Sequence, residues 1–152
     1  MLLNEKETQA IKDLQTQEQT CMEKYKQYST KAKDPVLQNL FTKLEQKEQE
    51  HFNSLGQVLS GTVPKVDCND TDGRDYVPKA TYTGMQESED KKHDCFLATD
   101  CIGTEKLVSG EYNNHVFNFA DSDVRKLLAD IQVEEQNHAE MLYKYKTVNQ
   151  MQ

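Results

Sequence analysis

The chain has 152 residues, with 26 acidic against 18 basic side chains, a net charge of −8 and a pI near 5.0. That length suits one domain with a sizeable core, and the acidic balance, with no local Lys/Arg cluster, argues against nucleic acid, whose phosphates demand a basic surface. No run of about 18 apolar residues could span a bilayer, and Met1-Leu2-Leu3-Asn4-Glu5-Lys6 lacks the basic and apolar regions of a secretory signal; the expectation is synthesis in the cytoplasm with no membrane partner.

The first periodic segment sets Ile11, Leu14, Glu18, Cys21, Tyr25, Tyr28 and Ala32 on one stripe at alternating spacings of three and four. Such spacing marks a helix packed along one face. After a short break, Asp34-Pro35 supplies an N-cap and a proline at the first helical position. The second helix then carries Leu37, Leu40, Leu44, Glu48, His51, Leu55 and Val58 on its stripe, and Gly61 followed by Pro64 ends it. Together these form a helical hairpin over about residues 5–60.

From about 61 to 86 the chain is rich in Asp, Thr, Gly and Pro and reads as non-helical. Loops that long are uncommon in compact domains unless they have a task. If the third helix runs parallel to the second, the chain must return along the full length of the helices. A helix of about 26 residues is roughly 39 Å long, and some 25 extended residues cover that at about 3.3 Å each. A disordered linker is the alternative; Tyr76 and Tyr82 favour docking.

The second hairpin, about 88–148, repeats the first. Its third helix carries Ala98, Cys101, Glu105, Val108, Tyr112, His115 and Phe119, and its fourth Val124, Leu127, Ile131, Glu135, His138, Leu142 and Tyr145. Asp121 stands where Asp34 stood. The expected fold is all-α: an antiparallel four-helix bundle of two similar hairpins joined by a long crossover, one domain over 1–152.

No cysteine pair has Cys-x-x-Cys spacing among Cys21, Cys68, Cys95 and Cys101, so a zinc ribbon or rubredoxin-type iron centre is excluded. Cys21 and Cys101 read as small buried hydrophobes. Cys68, in a polar loop, could crosslink in an oxidising environment.

The repeat carries the chemistry. Glu18 precedes Glu48 and His51 by the same distances at which Glu105 precedes Glu135 and His138, an offset of 87 residues that also relates Tyr25 to Tyr112, Asp34 to Asp121, Leu40 to Leu127, Gln49 to Gln136 and Leu55 to Leu142. All four glutamates sit on the stripes near mid-helix, so they should meet in one layer. Desolvating even one ion costs several kcal/mol, and no Lys or Arg occupies those stripe positions. Two divalent cations would cancel four carboxylates, and two imidazoles would complete the set. In Glu-x-x-His, positions i and i+3 share a helical face and can reach one metal. A single such motif is more often a surface glutamate beside an incidental histidine; two, each preceded by a stripe glutamate, point to metal. The candidate ligands are Glu18, Glu48, His51, Glu105, Glu135 and His138. Tyr25 and Tyr112 either pack in the core or bond the carboxylates from behind. His93 and His115 lie outside this context, and Glu45, Glu50 and Glu134 read as solvated charges on outer faces. Oxygen and nitrogen ligands in this number suit iron first and manganese second.

With these residues in view, the chain resembles the ferritin-like superfamily of di-iron carboxylate proteins over about 5–60 and 88–148. It is more closely similar to the coat F type spore coat proteins of endospore-forming bacteria, through Asp34-Pro-Val-Leu-Gln-Asn-Leu-Phe, Glu48-Gln-Glu-His51-Phe, Thr104-Glu-Lys-Leu-Val-Ser and Glu134-Glu-Gln-Asn-His138. The resemblance implies a ferritin-like bundle, the six ligands above on two metal ions, and a place in the spore coat or its mother cell. Carboxylates able to bridge two metals permit a change of oxidation state, which suits chemistry on a small oxidant, oxygen or peroxide. Lacking a rubredoxin-like domain, the chain would need a separate electron donor; lacking a fifth helix, it offers no basis for iron storage. Two functions compete: a redox centre supporting ferroxidation, peroxide removal or coat crosslinking, and a structural coat component stabilised by its metals, associating with itself or with other coat proteins. A metal-free helical adaptor is a third.

Overall fold

A computed structural model describes residues 1–67, 71–84 and 86–152, and every described element is helical. The long helices are α1 (Glu5–Lys31), α2 (Pro35–Leu59), α4 (Glu89–Val116) and α5 (Ser122–Val148), with a one-turn α3 (Asp72–Asp75) in the connection. No helix among the described residues is long and apolar enough to cross a membrane.

Helix starts are fixed by local chemistry. Asn4 and Glu7 form a reciprocal capping box on α1. Asp34 accepts from Val36 N, with Pro35 in the first turn of α2. Ser88 caps α4 and Asp121 caps α5. Beyond α2, Gly61 adopts a positive φ of 94°, which a side chain would resist.

Connections of three residues (32–34) and five residues (117–121) make α1–α2 and α4–α5 close antiparallel hairpins. The core divides into two apolar clusters, one at each end. Ile11, Leu14, Leu55, Val58, Val108, Val124, Leu128 and Ile131 belong to the first. Tyr25, Leu37, Phe41, Leu44, Leu97, Ala98, Met141 and Tyr145 belong to the second. Helices α1 and α5 therefore run from the first cluster to the second, while α2 and α4 run the other way. The connection must travel the length of the molecule, as its spacing predicted. Val63 and Val66 pack on the first cluster, and Tyr76 and Tyr82 on the second. A detached linker does not describe these residues.

The connection was expected to be non-helical throughout; α3 corrects that. Its Gly73 is buried against α5, where an added Cβ would come within 2.8 Å of Asn137 Oδ1. Gly73 N donates to Asn137 Oδ1 at 2.8 Å, and Lys144 Nζ donates to Gly73 O at 2.6 Å. A sequence that reads as a turn thus closes one helical turn because α5 supplies the partners. Cys68 lies outside the described residues. Cys21 and Cys101 are buried free thiols, as their stripe positions suggested.

Offset-related hydrogen bonds tie the hairpins to each other. Asp94 accepts from Lys33 N and Asp34 N, both at 2.8 Å. Its repeat partner Glu7 accepts from Ala120 N at 3.1 Å. Each hairpin's first helix therefore holds the turn of the other.

Candidate metal centre

Between the two apolar clusters lies a single polar layer, and each long helix contributes to it. Glu18 comes from α1, Glu48 and His51 from one turn of α2, Glu105 from α4, and Glu135 and His138 from one turn of α5. None of the six exceeds 3% exposure. The structure therefore gathers all six residues singled out by the repeat.

Their atoms form two overlapping groups. Glu18, Glu48, His51 and Glu135 offer ligand atoms within 4.8 Å of one another, as do Glu48, Glu105, Glu135 and His138. Glu48 and Glu135 belong to both groups. His51 Nδ1 lies 3.2 Å from Glu48 Oε2 and 2.9 Å from Glu135 Oε1. His138 Nδ1 lies 3.0 Å from Glu48 Oε1 and 3.5 Å from Glu105 Oε1. The two rings stack with centroids 5.7 Å apart and planes 15° from parallel. Both imidazoles thus present Nδ1 to the layer, and Glu48 is approached by both.

The carboxylates are held from behind by the tyrosines, reciprocally across the hairpins. The Tyr25 hydroxyl donates to Glu105 Oε1 and the Tyr112 hydroxyl to Glu18 Oε1. Burial first, and the carboxylates beside them second, push both phenols well above their ordinary value. They remain protonated donors.

Proton affinity in the layer is strongly redistributed. Burial pushes Glu18 up to about 8, with the charge of Glu48 adding to it. Glu135 rises well above its ordinary value, again from burial and then from the charges of Glu105, Glu48 and Glu18. Glu48 goes the other way: burial opposes ionisation, but hydrogen bonds with Glu18, His138 and His51 hold it well below. Burial alone would depress the imidazoles. Carboxylates overcome it, carrying His51 well above its ordinary value and His138 up to about 10. Without metal, protons on two carboxyls and two imidazoles can balance the layer. Four bare carboxylates are therefore not the only metal-free state.

As bare carboxylates, the glutamates are not satisfied by the protein's own donors. Glu18 Oε2, Glu105 Oε2 and both oxygens of Glu135 are buried without a hydrogen-bond partner among the described residues; the 2.9 Å approach of His51 Nδ1 to Glu135 Oε1 lacks hydrogen-bond alignment. Buried carboxylate oxygens are normally paired. None of the four glutamates pairs with lysine or arginine among the described residues; their ion-pair partners are His51 and His138. Hard oxygen donors flanked by imidazole nitrogens are a donor set that fits divalent iron or manganese.

Three acids were read as outer-face charges, and one is not. Glu134 Oε2 lies 2.9 Å from His51 Nε2, and its side chain is 31% exposed. Burial resists its ionisation, but His51 outweighs that and holds the carboxyl below its ordinary range. Its adjacency to Glu135 placed it off the stripe, and the pairing spans 83 residues. The signal that could have found it is its break from the repeat, since the offset of 87 sets Lys47 in the matching place. His93 is exposed and contacts Lys31 O at 3.0 Å, and His115 lies outside both groups, 3.9 Å from Glu111.

An all-α protein with a buried carboxylate–imidazole layer that could hold metal is the class these features define. Residues 93–149 match the family model of the Coat F domain. That match spans most of α4 and all of α5, including Glu105, Glu135 and His138. No curated protein and no solved structure matches the chain.

Proposed function

We propose that this chain is a ferritin-like antiparallel four-helix bundle of the spore coat type, holding two metal ions in its central layer. Iron suits the donor set best and manganese next. Glu18 and His51 would hold one ion, Glu105 and His138 the other, with Glu48 and Glu135 shared between them. The observation that carries this reading is the pair of overlapping four-residue groups, whose members Glu18, Glu105 and Glu135 keep unpaired buried oxygens. The Coat F match supports the spore coat assignment.

Iron bound there would supply electron exchange with oxygen or peroxide. The chain's own part is positional: the two tyrosines fix the outer carboxylates, and the apolar clusters above and below exclude water. Redox activity with a separate electron donor is the first reading. The second is a structural coat component, favoured by the way the layer joins all four long helices. Exposed Phe96, Leu107, Phe117 and Tyr143 suit association with other coat proteins or with a second copy.

Anaerobic loading with Fe(II), followed by oxygen or peroxide, separates these readings. Two ions per chain and rapid loss of Fe(II) support the redox centre. Two ions that resist oxidation support the structural role, and absence of binding overturns both.

A further inference from the structure

The offset of 87 residues makes the six inward side chains equivalent but fails one step behind them. His51 turns Nδ1 toward the layer and Nε2 toward Glu134, 2.9 Å away. A carboxylate only accepts, so Nε2 must carry the hydrogen of that bond. This leaves Nδ1 as the nitrogen whose lone pair is available to a metal. In the other half, the residue three before His138 is Glu135, and the one before that is Glu134 itself; their repeat counterparts are Glu48 and Lys47. Lys47 Nζ lies 3.6 Å from Glu50 and 3.9 Å from Asp72. A cation therefore holds the place that would face His138, and among the described residues the ion pairs of His138 are made through Nδ1 alone.

We propose that Glu134 is a positioning residue that makes the two metal positions unequal, so that the ion held by His51 binds first and more tightly. The inference rests on the two-metal reading above. A carboxylate behind a ligating histidine fixes its tautomer and ring orientation and raises its basicity, and losing such a partner typically weakens binding 10–100-fold. Among the described residues, Glu134 hydrogen-bonds only one of the two histidines. It lies on the far side of the ring from the layer, so it acts through His51 and not as a seventh ligand.

Titration of metal-free protein with Co(II), followed by visible absorption and calorimetry, tests this. Wild type is expected to bind two ions in two resolved steps. Glu134→Ala should weaken the tight step by about 10–100-fold and leave the other unmoved, while Glu134→Gln, which keeps an acceptor oxygen, should recover much of the loss. Equal steps in wild type, unchanged steps in Glu134→Ala, or equal weakening of both would overturn the inference. Nitrogen NMR of Zn(II)-loaded wild type provides a readout independent of the variants: hydrogen on His51 Nε2 is expected, and hydrogen on Nδ1 overturns it. A wild type that takes up fewer than two ions refutes the two-metal reading itself, a result distinct from two equal steps.

Discussion

Two sets of buried acids lie in this molecule, and they are built on opposite principles. At the end of the helices near the 32–34 turn, Asp34 and Asp94 are 4% and 0% exposed. Every oxygen there has a donor. Asp34 accepts from Val36 N at 2.9 Å, Tyr145 Oη at 2.7 Å and the Thr81 hydroxyl. Asp94 accepts from two backbone amides and from Tyr82 Oη at 2.5 Å. In the central layer the glutamates are equally buried, yet four of their oxygens have no such donor among the described residues. Burial of acids does not by itself mark a metal site. Unsatisfied oxygens that converge could hold a metal ion. The first set clamps the crossover's Thr81 and Tyr82 to both hairpins; the second is the set we read as a metal site.

The comparison breaks most easily by substitution. Glu48→Ala or Glu135→Ala should abolish two-ion stoichiometry, because each side chain belongs to both groups, whereas Glu50→Ala on the outer face should leave it intact; metal analysis after anaerobic loading reads this. Glu135→Gln should lose the metals yet leave metal-free stability unchanged or raised, since burial keeps that carboxyl protonated in the metal-free fold and Gln folds without having to take up a proton. Asp94→Asn should do the reverse. It should keep both ions and lose about 1–3 kcal/mol, because a buried backbone donor is left without its acceptor. Urea unfolding with and without metal separates the two signs.

A pH series sharpens the same contrast. Glu18 and His138 bind protons more tightly in the folded chain, at about 8 and about 10, than at their ordinary 4.5 and 6.5. Groups raised in this way stabilise the metal-free fold at low pH, and that contribution fades as pH rises from 4.5 through about 8 and from 6.5 through about 10. Glu48, held low, acts oppositely and loses its contribution only in acid. Metal must displace the retained protons, so its stabilisation should grow with pH. Melting temperatures with metal and with chelator should diverge between about pH 6 and about pH 9. A gap that closes with rising pH would contradict proton–metal exchange.

The smallest expected effect on metal binding concerns the tyrosines. Tyr25→Phe or Tyr112→Phe removes one donor from Glu105 or Glu18 and should cost about 1–3 kcal/mol of metal-free stability. Each substitution should weaken metal binding while preserving stoichiometry. Identical binding in both variants would reduce the tyrosines to packing.

Helices, the caps at Asp34 and Asp121 and the six converging residues were legible because each depends on short-range pattern, whereas the caps at Asn4 and Ser88 were missed. Glu48 and His51 must share a face at a spacing of three, and the repeat places the other hairpin's pair by the same rule. Asp94 was not legible, because its meaning lies in Lys33 and Asp34, about 60 residues away. Glu7 offered an unused hint, being related to Asp94 by the same offset that relates the ligands. Glu134 was misread because its partner stands on another helix. The turn at Asp72–Asp75 was missed because α5, not its own composition, makes it helical.

Anomalous diffraction from crystals of the Fe(II)-loaded protein, collected at the iron edge, tests the central claim most directly. The account predicts two peaks inside the helices, one beside Glu18 and His51 and the other beside Glu105 and His138, with Glu48 and Glu135 reaching both. An empty layer, or iron bound only at surface carboxylates, would contradict it.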